Sequence, residues 1–104
     1  MNYPKNKTRL IAFLKENPGL YYKVTLPNGE SQTRRLKKAQ NNAFSGMRPD
    51  GKESWFYYCK SDIYEFIGSL FIVTSSSGNL IFDFGPSEQD INAFNQAAMG
   101  GTAA

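Results

Sequence analysis

Apolar side chains first collect on one side of a helical turn. Between residues 6 and 16, Leu10, Ile11, Phe13 and Leu14 make one face while Lys7, Arg9 and Lys15 fall mostly off it. This spacing predicts a helix, ended by NPG at 17–19, because proline cannot continue a helix and glycine frees the turn. The period then shortens. In LYYKVTL, Leu20, Tyr22, Val24 and Leu26 alternate with Tyr21, Lys23 and Thr25, which is a strand with one buried face. PNG at 27–29 turns it into a hairpin.

The return arm, ESQTRRL, reads either as the partner strand or as the start of a helix capped by Ser31. Over residues 34–44 the content of Leu, Lys, Ala and Gln favours helix, with Leu36, Ala39, Ala43 and Phe44 as a narrow apolar stripe interrupted by Gln40. On such a helix Arg34, Lys37, Lys38 and Asn41 share the opposite face, flanked by Arg35 and Asn42. MRPDGKE at 47–53 is a turn. It leads into a strand over 54–60 that puts Trp55 and Tyr57 on one side and Phe56 and Tyr58 on the other.

Residues 61–69 have two readings, because Ile63, Phe66, Ile67 and Leu70 fit helical spacing while β-branched and aromatic residues favour strand from Leu70. A strand over 70–74, the turn SSSGN and the alternating LIFDFG make a hairpin. Ser87 then caps a last helix with Asp90 at its third position and Ile91, Phe94 and Ala98 inward. Gly100 and Gly101 stop it, leaving 100–104 as a flexible tail. The order helix, hairpin, helix, strands, helix predicts one α+β domain over 1–99. Its expected architecture is a small antiparallel sheet with helices packed on one face.

Composition adds constraints. A chain of 104 residues, 40% hydrophobic and 14% aromatic, is long and apolar enough to bury a core without staples. One cysteine, Cys59, permits no internal disulfide and no multi-cysteine zinc site; it reads as a buried structural thiol in a reducing, cytoplasmic setting. The basic start has neither a continuous apolar run nor a cleavage pattern, so no signal peptide is expected. The longest apolar stretch, FIGSLFIV, is far short of the roughly 18 residues of a membrane span. Histidine is absent, which removes the commonest general base and zinc ligand. No enzyme activity, metal or cofactor is therefore expected.

Charge changes the picture most. The net charge is only +3, yet all twelve cations lie in residues 1–60 against four carboxylates, giving that half +8; residues 61–104 carry five carboxylates and no cation, giving −5. Such asymmetry points the basic half toward a polyanion. Arg34, Arg35, Lys37 and Lys38 are the first candidates, since side chains of this length reach phosphates. Arg48 and Lys52 flank the second turn, and Trp55 and Tyr57 could stack on bases.

The basic turn and the helix before it resemble the helix-and-wing arrangement of winged-helix proteins. A strand and PNG stand where that fold has a further helix, and winged helix is the alternative fold. Asp50, Gly51 and Lys52, with Glu30 upstream, have the spacing of some metal-dependent nucleases, but a turn explains them fully. The leading expectation is a non-enzymatic nucleic-acid-binding domain. The rival is a protein-binding module or inhibitor docking on a protein or nucleoprotein assembly, of the phage or mobile-element accessory type. FIGSLFIV would be its interface, to a partner or to a second copy in a homo-oligomer.

Overall fold

The computed structural model describes residues 2–100 in full and 101–103 by backbone alone; Met1 and Ala104 lie outside it, and with them part of the expected tail. Helix α1 spans Lys7–Glu16. The Asn6 side chain caps it by accepting from the Arg9 N–H at 2.8 Å, which satisfies one of the orphan donors of the first turn. Leu10, Phe13 and Leu14 are its buried face.

Seven strands follow: β1 (Tyr21–Thr25), β2 (Ser31–Ala39), β3 (Ala43–Met47), β4 (Glu53–Tyr57), β5 (Ile63–Ile67), β6 (Leu70–Ser75) and β7 (Gly78–Asp83). They form one sheet in the order β4-β3-β2-β1-β7-β6-β5, with every hydrogen-bonded pair antiparallel. This is an up-and-down meander wrapped on itself, in which β4 and β5, neighbours in sequence, are the two free edges. The sheet curls until the edges face each other. Phe56 of β4 lies 5.9 Å from Phe71 of β6 and 5.1 Å from Phe82 of β7, and Tyr58 lies 6.4 Å from Tyr64 of β5.

Alternation sets the two faces. Tyr22, Val24, Leu36, Phe44, Phe71, Val73 and Phe82 point to the concave side and are buried. Helix α1 adds Leu10, Phe13 and Leu14 to the same cluster, closing one end of the curl, with Phe13 5.7 Å from Phe84. Helix α2 (Glu88–Ala103) lies on the convex side. There Phe94 meets the Tyr21 ring at 5.5 Å and Asp90 faces Lys23 at 3.6 Å. The expected capping box forms: Ser87 Oγ accepts from the Asp90 N–H at 3.1 Å, and Asp90 Oδ2 accepts from the Ser87 N–H at 3.3 Å.

The expected architecture is therefore corrected. The sheet dominates, and the two helices lie on opposite faces of it. Winged helix falls with the same finding, because residues 34–44 are not a helix but β2, a turn and the start of β3. Helix propensities differ by only about 0.7 kcal/mol per residue. As a strand, this segment has its backbone paired on both sides, by β1 and β3, and buries Leu36. Residues 63–67, open between helix and strand in sequence, are strand β5, and α2 runs past Gly100 and Gly101. Among the described residues no helix is long and apolar enough to cross a membrane.

Gly46 is a point of close approach. A Cβ there would come within 2.2 Å of Tyr22 Oη and 2.8 Å of Tyr22 Cζ. Tyr22 cannot swing away, being boxed by Phe44, Phe82 and Phe84 at about 6 Å. Gly46→Ala is expected to cost about 1–3 kcal/mol, a fall in Tm of roughly 4–8 °C per kcal/mol for a domain of this size. Tyr22→Phe in the same background should recover part of the loss. Thermal unfolding followed by circular dichroism checks both.

Candidate nucleic-acid interface

The convex face of β2, β3 and β4 gathers most of the candidate residues. On β2, strand parity sends Thr33 and Arg35 outward and Arg34 and Leu36 inward, as the pairs Tyr21–Arg35 and Tyr22–Arg34 require. A bulge between Leu36 and Lys38 then resets the register, leaving Lys37 as the extra residue. Lys37 reaches the convex side, where its Nζ lies 3.6 Å from Glu53 Oε1. Lys38 pairs with Ser45, and Ser45 with Trp55. The three residues form one cross-strand row.

Trp55 and Tyr57 stand two apart on the edge strand β4 and stack, with ring centroids 5.8 Å apart and planes 19° from parallel. They are 36% and 61% exposed, so the stack meets solvent. Lys38 Nζ sits 5.8 Å from the Trp55 ring centre, a cation–π contact worth about 0.5–1 kcal/mol at an exposed site. Arg35 is fixed at the far side of this face: its Nε donates to Gly19 O at 3.1 Å and its guanidinium lies 5.2 Å from the centre of the Tyr21 ring. Helix α2 bounds the face there, through the contact of Phe94 with Tyr21.

Within the platform, Ser45 Oγ donates to Glu53 Oε2 at 2.6 Å. That hydrogen bond, helped by Lys37 and Lys38, holds the Glu53 carboxyl below its ordinary range. Ser45 is fully buried. Sequence inspection missed both residues, because a serine and a glutamate eight positions apart carry no local signal.

The remaining candidates are elsewhere. Arg34 lies on the concave side, opposite in direction to Arg35, so the helical face shared by Arg34, Lys37, Lys38 and Asn41 does not exist. Arg48 and Lys52 belong to the β3–β4 turn, closed by the Lys52 N–H on Asp50 Oδ1 at 2.9 Å and by Gly51 at φ 86°. Arg48 Nε stands 3.7 Å from Asp50 Oδ1. The Arg48 side chain lines a cavity of about 330 Å³ beneath α2 with Pro49, Asp90 and Phe94. Lys52 is exposed. Asp50, Gly51 and Lys52 thus make the turn, and among the described residues no group of three or more acidic or cysteine side chains is placed to hold a metal ion.

Cys59 is exposed, not buried as expected. It lies in the β4–β5 link, where the Cys59 N–H donates to Tyr64 Oη at 2.7 Å. A hydrogen bond with Ser61 Oγ at 3.0 Å draws its thiol pKa down. Comparison with protein-family models, curated proteins and solved structures finds no match.

Because the Glu53 pKa is depressed by folding, its contribution to stability is present above the unfolded carboxylate value and is lost as pH falls through the lower folded value. Ser45→Ala is expected to raise the Glu53 titration midpoint toward the ordinary range, read from side-chain carboxyl ¹³C shifts. An unchanged midpoint would assign the depression to the lysines alone.

Proposed function

We propose that this protein is a small non-enzymatic nucleic-acid-binding domain of the reducing cytoplasm that lays a single strand across the convex face of β2–β4. The observation that carries this reading is the exposed Trp55–Tyr57 stack with Lys38 over it. Bases stack on such rings whatever their sequence, and neighbouring cations follow the phosphates. Arg35, Lys37 and Lys38 supply the charge, and Lys52 at the turn lies on the path of a longer strand. No carboxylate other than Glu53 is placed by β2, β3 or β4 themselves, and Glu53 is already paired with Lys37.

A second reading is favoured by β5. Its outward Ile63 and Ile67 are 63% and 57% exposed on a strand with a free edge. Exposed apolar side chains on an unpaired edge are how a sheet docks another protein or a second copy of itself. A protein-binding module or inhibitor of the phage or mobile-element accessory type would use this face.

Titration of a labelled oligothymidylate by fluorescence anisotropy separates the two. With three cations engaged, the affinity should fall with salt at a log–log slope of about −2, at about 0.7 per phosphate for single strands. Trp55→Ala should weaken binding about 5- to 150-fold, the range of one lost base stack at about 1–3 kcal/mol. Charge reversal at Lys37 and Lys38 should abolish it, and Ile63→Glu should leave it unchanged. Absence of binding to single-stranded DNA and RNA at low salt overturns the proposal.

A further inference from the structure

The concave side has two ends. Helix α1 seals one, with Tyr3 lying 6.2 Å from Phe13 and packed against the same core. At the other end a cavity of about 350 Å³ opens between the β1–β2 and β6–β7 turns, lined by Val24, Leu26, Trp55, Phe56, Leu80 and Phe82 with one cation, Arg34. Val24 and Phe82 are buried; Leu26, Phe56 and Leu80 are half-buried and line the wall. Ser54 adds a hydroxyl.

Arg34 is an unusual occupant of such a wall. Its Nε and Nη2 donate to Gln32 Oε1 at 3.3 and 3.0 Å, spending two of the five guanidinium donors on a neutral amide. Among the described residues no carboxylate lies within ion-pair distance of it. The Tyr22 hydroxyl beside it does not neutralise it either, since burial pushes the phenol pKa up to about 12 and keeps it protonated. A cation in partly apolar surroundings with no counter-charge is costly unless an anion reaches it.

We propose that this open end is a binding site for a small apolar monocarboxylate, whose carboxylate meets the Arg34 guanidinium and whose body lies on Leu26, Phe56 and Leu80. The mouth of a curled sheet is a common place for small ligands, and the volume falls at the low end of the range for such pockets, about 300–1,000 Å³. The planar guanidinium fork matches a carboxylate. One cation balances one negative charge, so a dianionic phosphate head would bring a second charge to an apolar wall without compensation. The cations of the convex face take no part in the site, because the sheet separates Arg34 from Arg35, Lys37 and Lys38, while Trp55 borders both.

The test uses decanoate, decanol and decyl phosphate with the full chain, by calorimetry and by methyl NMR. Decanoate is expected to bind saturably and at least tenfold tighter than decanol, and to shift the methyl signals of Val24, Leu26 and Leu80. Arg34→Gln should cut its affinity tenfold or more, and Leu26→Trp, which fills the mouth and leaves Arg34 in place, should abolish binding. Charge reversal at Lys37 and Lys38, which lie across the sheet from Arg34, should leave it unchanged, so failure of the nucleic-acid reading is distinguishable from failure here. Equal binding of decanoate and decanol, shifts confined to Ile63 and Ile67, or full affinity in Leu26→Trp overturns the site. Tighter binding of decyl phosphate overturns the monocarboxylate assignment. If Arg34→Gln does not fold, the decanol comparison and Leu26→Trp decide.

Discussion

An odd number of strands cannot close into a barrel by antiparallel pairing alone. Passing from β4 through β3, β2, β1, β7 and β6 to β5 reverses direction six times, so the two edge strands run the same way. A parallel pair needs a crossover of a dozen or more residues, and only five residues, 58–62, join β4 to β5. The seam is therefore closed by side chains. Phe56, Tyr58, Tyr64, Phe71 and Phe82 bridge it, each ring pair adding about 0.5–1.5 kcal/mol beyond its burial. Tyr64 Oη also pins the link, accepting from the Cys59 N–H and donating to the Cys59 carbonyl. Five of the fifteen aromatic residues are explained by this one requirement. Trp55 and Tyr57, which alternate outward from the same edge, are not.

The elements legible in the sequence are those whose signals are local. Ser87 caps α2 as its spacing to Asp90 implies, and β1 and β7 alternate because one face of each is buried against the core. The misreading of residues 34–44 has a specific cause. Leu36 and Ala39 both face the core because the bulge inserts Lys37 between them. The bulge turns a two-residue repeat into a three-residue one, and three is a helical spacing. Favourable helix formers fill the same positions, so period and propensity agree on the wrong answer. The order of seven strands and the position of α2 on the convex face rest on contacts between distant residues such as Tyr21 and Phe94, which carry no local pattern.

The charge asymmetry of the sequence does survive folding. Strands β1–β4 come from the basic half and are contiguous in the sheet, while β5–β7 come from the half without cations and lie together beyond β1. The main crossing is α2, whose Asp90 returns to face Lys23. Linear segregation thus becomes spatial segregation, and the outer rows of β2–β4 join cations to exposed rings. Trp55 and Tyr57 share a side with Arg35, Lys37 and Lys38 but not with Arg34, because strand parity, and not helical spacing, decides where each arginine points.

Arg34 and Arg35 show what that parity does to chemistry. Adjacent in sequence, they sit on opposite sides of one layer of backbone, and the same guanidinium group works against different surroundings. At about 4 Å a charge pair gains about 1 kcal/mol in bulk water but about 4 kcal/mol at the effective dielectric of about 20 found near a protein surface. Arg35 on the open face belongs near the first limit, so under the proposed function it would contribute through number, as one of several weak contacts shared with Lys37 and Lys38. Arg34, beside Val24, Phe82 and the neutral Tyr22 phenol, belongs nearer the second. A single anion gains more there than at any one position on the convex face, and an apolar body attached to that anion gains again from the wall. Under the two proposals, the sheet acts as a partition between a surface for an extended polyanion and a cavity for one small anion.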